Sequence, residues 1–305
     1  MFELEIDSRT TRPLTSHFAH KGFSRARYLA NDDLLLCGPR GDDAAKRDGG
    51  RWHTELWYLA SDLSAPAIPL DEHCFEGPAV SRRSMRIAWT LSDYPDSVVF
   101  GRSEIWLGEI VDEGSGPKLV QRRKILDRGD FYYLAFLETQ DFNPSDEGEL
   151  IFTAYAYKGG EVMGIDIETG KIRNYSQNWA YDEAEGVFPD GRFVAVEREP
   201  ETYTAVPGGR IDIWRTALDG SGHTEQLTHF TDFKGFGANN PVVSPNGRFI
   251  AFQLREAGGE HGNGHGIFLL DLYAWAIARD ASSGVDARPG NGDPLRAADT
   301  QDDED

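Results

Sequence analysis

The chain has little cysteine, no long apolar run and few basic residues for its size, and each shortage removes a class of protein. Two cysteines in 305 residues, Cys37 and Cys74, allow one bridge at most, so a disulfide framework is excluded. No apolar stretch approaches the ~18 residues that a membrane-spanning helix needs. The opening MFELEIDSRTTRPLTSHF has no basic segment leading into an apolar one, so no signal peptide is expected there. Lysine and arginine total 31 against 51 aspartates and glutamates, a formal net charge of -20. An acidic surface repels nucleic acid and anionic lipid, so neither nucleic-acid binding nor membrane insertion is expected. Cations and neutral polar ligands suit it better. Helical periodicity is also scarce. The best candidate is short, around Leu272–Arg279.

What the chain does have is core material and turns. It is 39% apolar and carries 33 glycines and 15 prolines, enough to bury a sizeable core as one large domain or two small ones. Short apolar or alternating runs recur between turn residues: DLLLCGP (33–39), MRIAWT (85–90), ELIFTAYAY (149–157), RFVAVE (192–197) and RFIAFQ (248–253). This is the pattern of an all-β fold. GVFPDGRFVAVE (186–197) aligns with PVVSPNGRFIAFQ (241–253), each with an Asp-Gly or Asn-Gly hairpin turn. Looser copies stand at 77–90, 141–157 and 27–39. The turns of the five copies are spaced 51, 62, 45 and 56 residues apart. Each copy is followed by a third strand and usually a fourth, except the last, which stops at GIFLLDL (266–272).

Four strands per repeat is the blade of a β-propeller. Five clear blades are expected, with a partial N-terminal one at 2–15, in a five- or six-bladed ring. The N-terminal strands are expected either to complete the last blade or to be the remnant of another. Residues 1–275 form the propeller in this reading. Residues 276–305, poor in large apolar side chains, form a disordered acidic tail.

The block QLTHFTDFKGFGANNPVVSPNGRFIAFQLREAGGEHGNGHGIFLLDL (226–272) resembles the repeat of TolB-like (PD40) propellers. The copy at 181–197 matches well and the others less so, over residues 1–272. The resemblance implies a propeller fold and a periplasmic or extracellular setting. It also implies one of three roles: a binding scaffold, the gating domain of a prolyl oligopeptidase-type protease, or an oligogalacturonate lyase. The protease role needs a Gly-x-Ser-x-Gly elbow in an α/β-hydrolase domain, and this chain has none. The lyase role implies a central metal held by His and Gln side chains. His73, His261, His265 and Gln253 are the candidates for it, with Mn, Ca or Zn as the metal.

In a propeller the first strand of each blade lines the central channel. Aligned at their turns, the five copies place Arg25, Glu76, Glu138, Glu183 and Asn239 at one position near the mouth, and Arg27, Pro78, Gln140, Glu185 and Pro241 two residues on. Glu76, Glu138, Glu183, Glu185 and Asn239 offer the oxygen ligands that a hard cation takes. Arg25 would offset their like charges. The main expectation is a non-catalytic scaffold that binds a protein partner or a carbohydrate through this mouth. The alternative is a metal-dependent polysaccharide lyase.

Overall fold

A computed structural model of the chain describes residues 1–16, 24–39, 54–93, 101–201, 209–256 and 264–282. The chain divides into two compact units. The first is Met1–Phe142 with Phe152–Tyr157 and Ile165–Lys171. The second holds Asn143–Ile151, Lys158–Gly164 and everything from Ile172 on.

The first unit opens with a hairpin, β1 (Phe2–Glu5) and β2 (Thr10–Pro13). Two four-stranded antiparallel sheets follow. One is β3 (Ser24–Tyr28), β4 (Leu34–Pro39), β5 (Thr54–Leu59) and β6 (Ile68–His73). The other is β7 (Phe75–Val80), β8 (Arg86–Ser92), β9 (Ser103–Asp112) and β10 (Pro117–Asp127). A single helical turn, α1 (Arg128–Phe131), leads to β11 (Phe136–Phe142), β12 (Glu149–Tyr155), β13 (Gly160–Asp166) and β14 (Ile172–Asn174). The fourth sheet is β15 (Tyr181–Val187), β16 (Phe193–Glu199), β17 (Asp212–Ala217) and β18 (Thr224–Gln226), and a single parallel bridge, Gly160 to Tyr181, joins β13 to β15. The last sheet has three strands: β19 (Phe236–Val243), β20 (Phe249–Glu256) and β21 (Ile267–Asp271). All five expected repeats are thus sheets in which consecutive strands pair, with hairpins at the expected turns. Gly191 and Gly247, at those turns, adopt φ of 69° and 72°, which glycine reaches without penalty.

Apolar runs appear where alternation would be expected because the strands are buried on both faces. On β4, Leu34 and Leu36 enter one cluster with Leu14 and Leu59. Leu35 and Cys37, pointing the other way, enter a second with Ile87 and Trp89. On β16, Val194 and Val196 pack against Ile151 and Val162, while Ala195 packs with Ile213 and Ala238. The N-terminal hairpin is a sheet of its own. It is anchored to the first sheet by Leu14, by Arg12 donating to the Ser61 carbonyl and by Tyr28 donating to Glu3.

One boundary moves. The short helix expected at Leu272–Arg279 is present as α2 (Leu272–Ser282), so the segment read as a disordered tail from 276 is helical to 282. Leu272 and Ala276, one turn apart, are buried, and Leu272 packs with Val243, Ile250 and Phe252 of the last sheet. Residues 283–305 lie outside the described residues. No helix among the described residues is long and apolar enough to cross a membrane.

Cys37 and Cys74 form a disulfide across 37 residues, inside the core of the first unit. Closing a loop of that length removes unfolded-state entropy worth about 4 kcal/mol in the chain-entropy view. Replacing both cysteines by alanine should therefore lower unfolding free energy by at least this much in a denaturant titration. An unchanged midpoint would show that the bridge does not form.

Candidate functional site

The innermost strands are irregular at matching places. On β3 the pairing slips between Ser24 and Arg27, on β7 between Phe75 and Ala79, on β15 between Ala184 and Gly186, and on β19 between Asn239 and Val242. At three of these bulges a non-glycine residue sits in the left-handed region: Arg25 (φ 35°), Glu76 (φ 54°) and Asn240 (φ 52°). Such a conformation costs free energy and persists only where surrounding contacts enforce it. A bulge re-aims its side chain out of the regular pleat. In the last sheet the residue with this geometry is Asn240, one place after the Asn239 singled out by the repeat.

In the first unit the bulges bring Arg25, Glu76, Glu138 and Gln140 together. The Arg25 guanidinium reaches Glu76 at 3.2 Å and Glu138 at 3.1 Å, and donates to Gln140 Oε1 at 3.1 Å. Tyr155 donates to the other oxygen of Glu138 at 2.7 Å. Arg25 thus stands as a counter-charge between Glu76 and Glu138. Gly77 makes the approach feasible, because a Cβ there would stand 2.4 Å from the Arg25 Cβ.

In the second unit Glu183, Glu185 and Glu197 converge. All three are buried, and one carboxylate oxygen from each lies within 4.8 Å of the others. The geometry follows from the strands. Glu183 faces Glu197 directly across the β15–β16 ladder, and Glu185 occupies the bulge. Tyr181 donates to Glu183, and the Asn240 backbone N–H donates to Glu197. Asn240 Nδ2 also reaches Gln253 Oε1 at 3.5 Å, and Gln253 pairs with Asn239 across the ladder. Glu197 was not foreseen. Its signal is a lone charge ending the apolar run RFVAVE, opposite a second glutamate.

The histidines do not join this group. Among the described residues Glu183, Glu185 and Glu197 are the one cluster of three His, Cys, Asp or Glu side chains able to share an ion. His73 ends β6, opposite Glu55. His265 is exposed, with its ring 5.8 Å from that of Phe236 and its N–H donating to the Leu254 carbonyl. His261 lies outside the described residues.

Beside the glutamates, two more carboxylates are fully enclosed. Asp182 accepts from Asn178 Nδ2 at 2.6 Å and faces Arg198 at 3.5 Å. Burial raises its pKa while Arg198 opposes the rise. Glu161 accepts from the Asn178 backbone N–H, and burial pushes its pKa up to about 7.

No protein-family model matches the chain, and no curated protein matches it. Solved structures do. A TolB protein from Agrobacterium tumefaciens superposes with a TM-score of 0.63 at 18% identity, over 88% of this chain and 83% of its own. A TolB from Acinetobacter baumannii gives 0.50 at 20% identity, over 72% of this chain and 49% of its own. A puromycin hydrolase gives 0.56 at 15% identity, over 87% of this chain but only 39% of its own.

Two outcomes follow from these contacts. Gly77→Ala should displace Arg25 from both glutamates and cost about 1–3 kcal/mol in chemical denaturation, the usual penalty of overpacking. Glu161 binds its proton more tightly folded than unfolded, so its stabilisation is complete below its ordinary pKa of 4.5 and is lost as pH rises towards 7. The Glu161→Gln variant should lose that slope and gain on the order of 3 kcal/mol over the wild type at pH 8. Unfolding free energies at pH 5 and pH 8 check this, and parallel pH profiles for the two proteins would refute it.

The repeated sheets, the matching bulges on their innermost strands and the superposition on TolB together make the fold of this chain that of a TolB-like β-propeller.

Proposed function

We propose that the protein is a non-catalytic binding scaffold whose ligand contacts come from the bulged innermost strands, with a hard divalent cation held by Glu183, Glu185 and Glu197. The convergence of those three buried carboxylates carries the reading. Their donors are all oxygen, which suits Ca²⁺ or Mn²⁺ and disfavours a zinc centre built on His and Cys. The propeller fold supports a scaffold role and a protein partner, since such folds present loops and strand ends on a rigid frame. The buried Cys37–Cys74 bridge supports a compartment outside the reducing cytosol, such as the periplasm.

Calorimetric titration of chelator-treated protein tests the cation. Ca²⁺ or Mn²⁺ should bind at one site, in the ~10⁻⁵–10⁻³ M range of moderate oxygen-ligand sites. Glu185→Gln should weaken binding at least tenfold, and Zn²⁺ should gain nothing over them. Absence of saturable heat with either ion, or full binding in the variant, would remove the cation from the reading.

A further inference from the structure

An aromatic ring left in water forgoes the free energy that burial would give it. One face of the last sheet leaves two such rings in water: Phe233 is 65% exposed and Phe268 39%. Both line a cleft of about 400 Å³ formed by β20, β21, α2 and the 3₁₀ turn at Phe230–Asp232. That volume lies in the range of small-molecule sites, about 300–1,000 Å³.

The walls are rigid and mostly aromatic. Phe252 and Phe268 stack with centroids 5.9 Å apart, and Phe230 stands 5.7 Å from the first and 6.0 Å from the second. Behind them Leu227 and Phe252 are buried and pack with Ile250 and Leu272, so the floor has no room to retreat. Trp275 of α2 adds a further wall. Arg215 and Arg279 lie against its ring, at 6.0 and 4.9 Å, and both bind Glu225, which holds the indole in place. Apart from Thr228 and His229 the lining is apolar, and among the described residues none of it is acidic, lysine or arginine. The Thr228 hydroxyl is already committed: it donates to Asp212 at 2.7 Å and accepts from the Ile213 N–H at 2.9 Å. His229 is exposed and stands as the polar side chain at the rim.

We propose that this cleft binds a neutral aromatic small molecule, its ring seated among Phe230, Phe252, Phe268 and Trp275 and a hydroxyl or carbonyl group turned to His229. Rings at these spacings accept another ring edge-on or in offset stacking. The charge of the ligand follows from the lining. An ion entering the cleft would give up water with no charged group there to replace it, and a net charge of -20 further repels an anion. The chain's own C-terminal end is poorly matched, because residues 283–305 contain no aromatic residue and two large apolar ones, Val285 and Leu295. None of Glu183, Glu185 and Glu197 lines the cleft, so the site stands apart from the cation reading.

Equilibrium dialysis of the full-length protein against naphthol, naphthalene and naphthoate, which share one ring system, tests this. Naphthol should bind saturably at one site, and naphthoate roughly tenfold or more weakly. Phe233→Ala removes an exposed ring, so it should keep the wild-type thermal midpoint while weakening naphthol about fivefold. His229→Ala should weaken naphthol and leave naphthalene unchanged. Glu185→Gln should bind naphthol as the wild type does, which separates failure of this site from failure of the cation site. No saturable naphthol binding, equal affinity for naphthoate, or undiminished binding in either Phe233→Ala or His229→Ala would overturn the proposal. So would a dimer in sedimentation that Phe233→Ala dissolves, because the exposed rings would then belong to an interface with a second copy.

Discussion

Burial on both faces is the constraint on which the rest of this structure depends. A strand with one wet face can carry charge at no cost. A strand enclosed on both sides, as β4, β8 and β16 are, cannot. Buried charged groups therefore need counterparts inside the protein, on the inner strands as on the others. Arg25 meets this by reaching three partners. Asp182 meets it through Asn178 and Arg198. Glu183, Glu185 and Glu197 draw on a tyrosine hydroxyl and a backbone amide.

The bulges are the means by which this is achieved. A regular pleat would send successive side chains to opposite faces and keep Arg25, Glu76 and Glu138 apart in direction. An extra residue in the inner strand turns one side chain out of alternation. The left-handed backbone at Arg25, Glu76 and Asn240 is the local cost, and packing such as Gly77 against Arg25 holds it in place.

Much of the architecture was legible because it is periodic. Asp-Gly and Asn-Gly turns before apolar strands marked the repeats, and the missing fourth strand of the last sheet was visible as the end of the pattern at Leu272. The polar positions Arg25, Glu76, Glu138 and Glu183 were legible from the same alignment. Three things were not. Asn240 was displaced by one residue because a bulge adds to the count of a strand without marking the sequence. Glu197 was hidden because it belongs to a second strand, whose charged end reads as an ordinary solvent-facing residue. The tail was read by composition, and the burial of Leu272 and Ala276 outweighed it up to residue 282.

The bridge between Cys37 and Cys74 also bears on how the protein is made. Both sulfurs lie in the first quarter of the chain, and every strand of the first sheet precedes Cys74. Synthesis delivers the N-terminal end first, and early segments fold before later ones exist. In an oxidising compartment that receives the N-terminal end first, the staple can therefore close before the second unit arrives. The first sheet then waits as a locked template rather than an open, aggregation-prone intermediate.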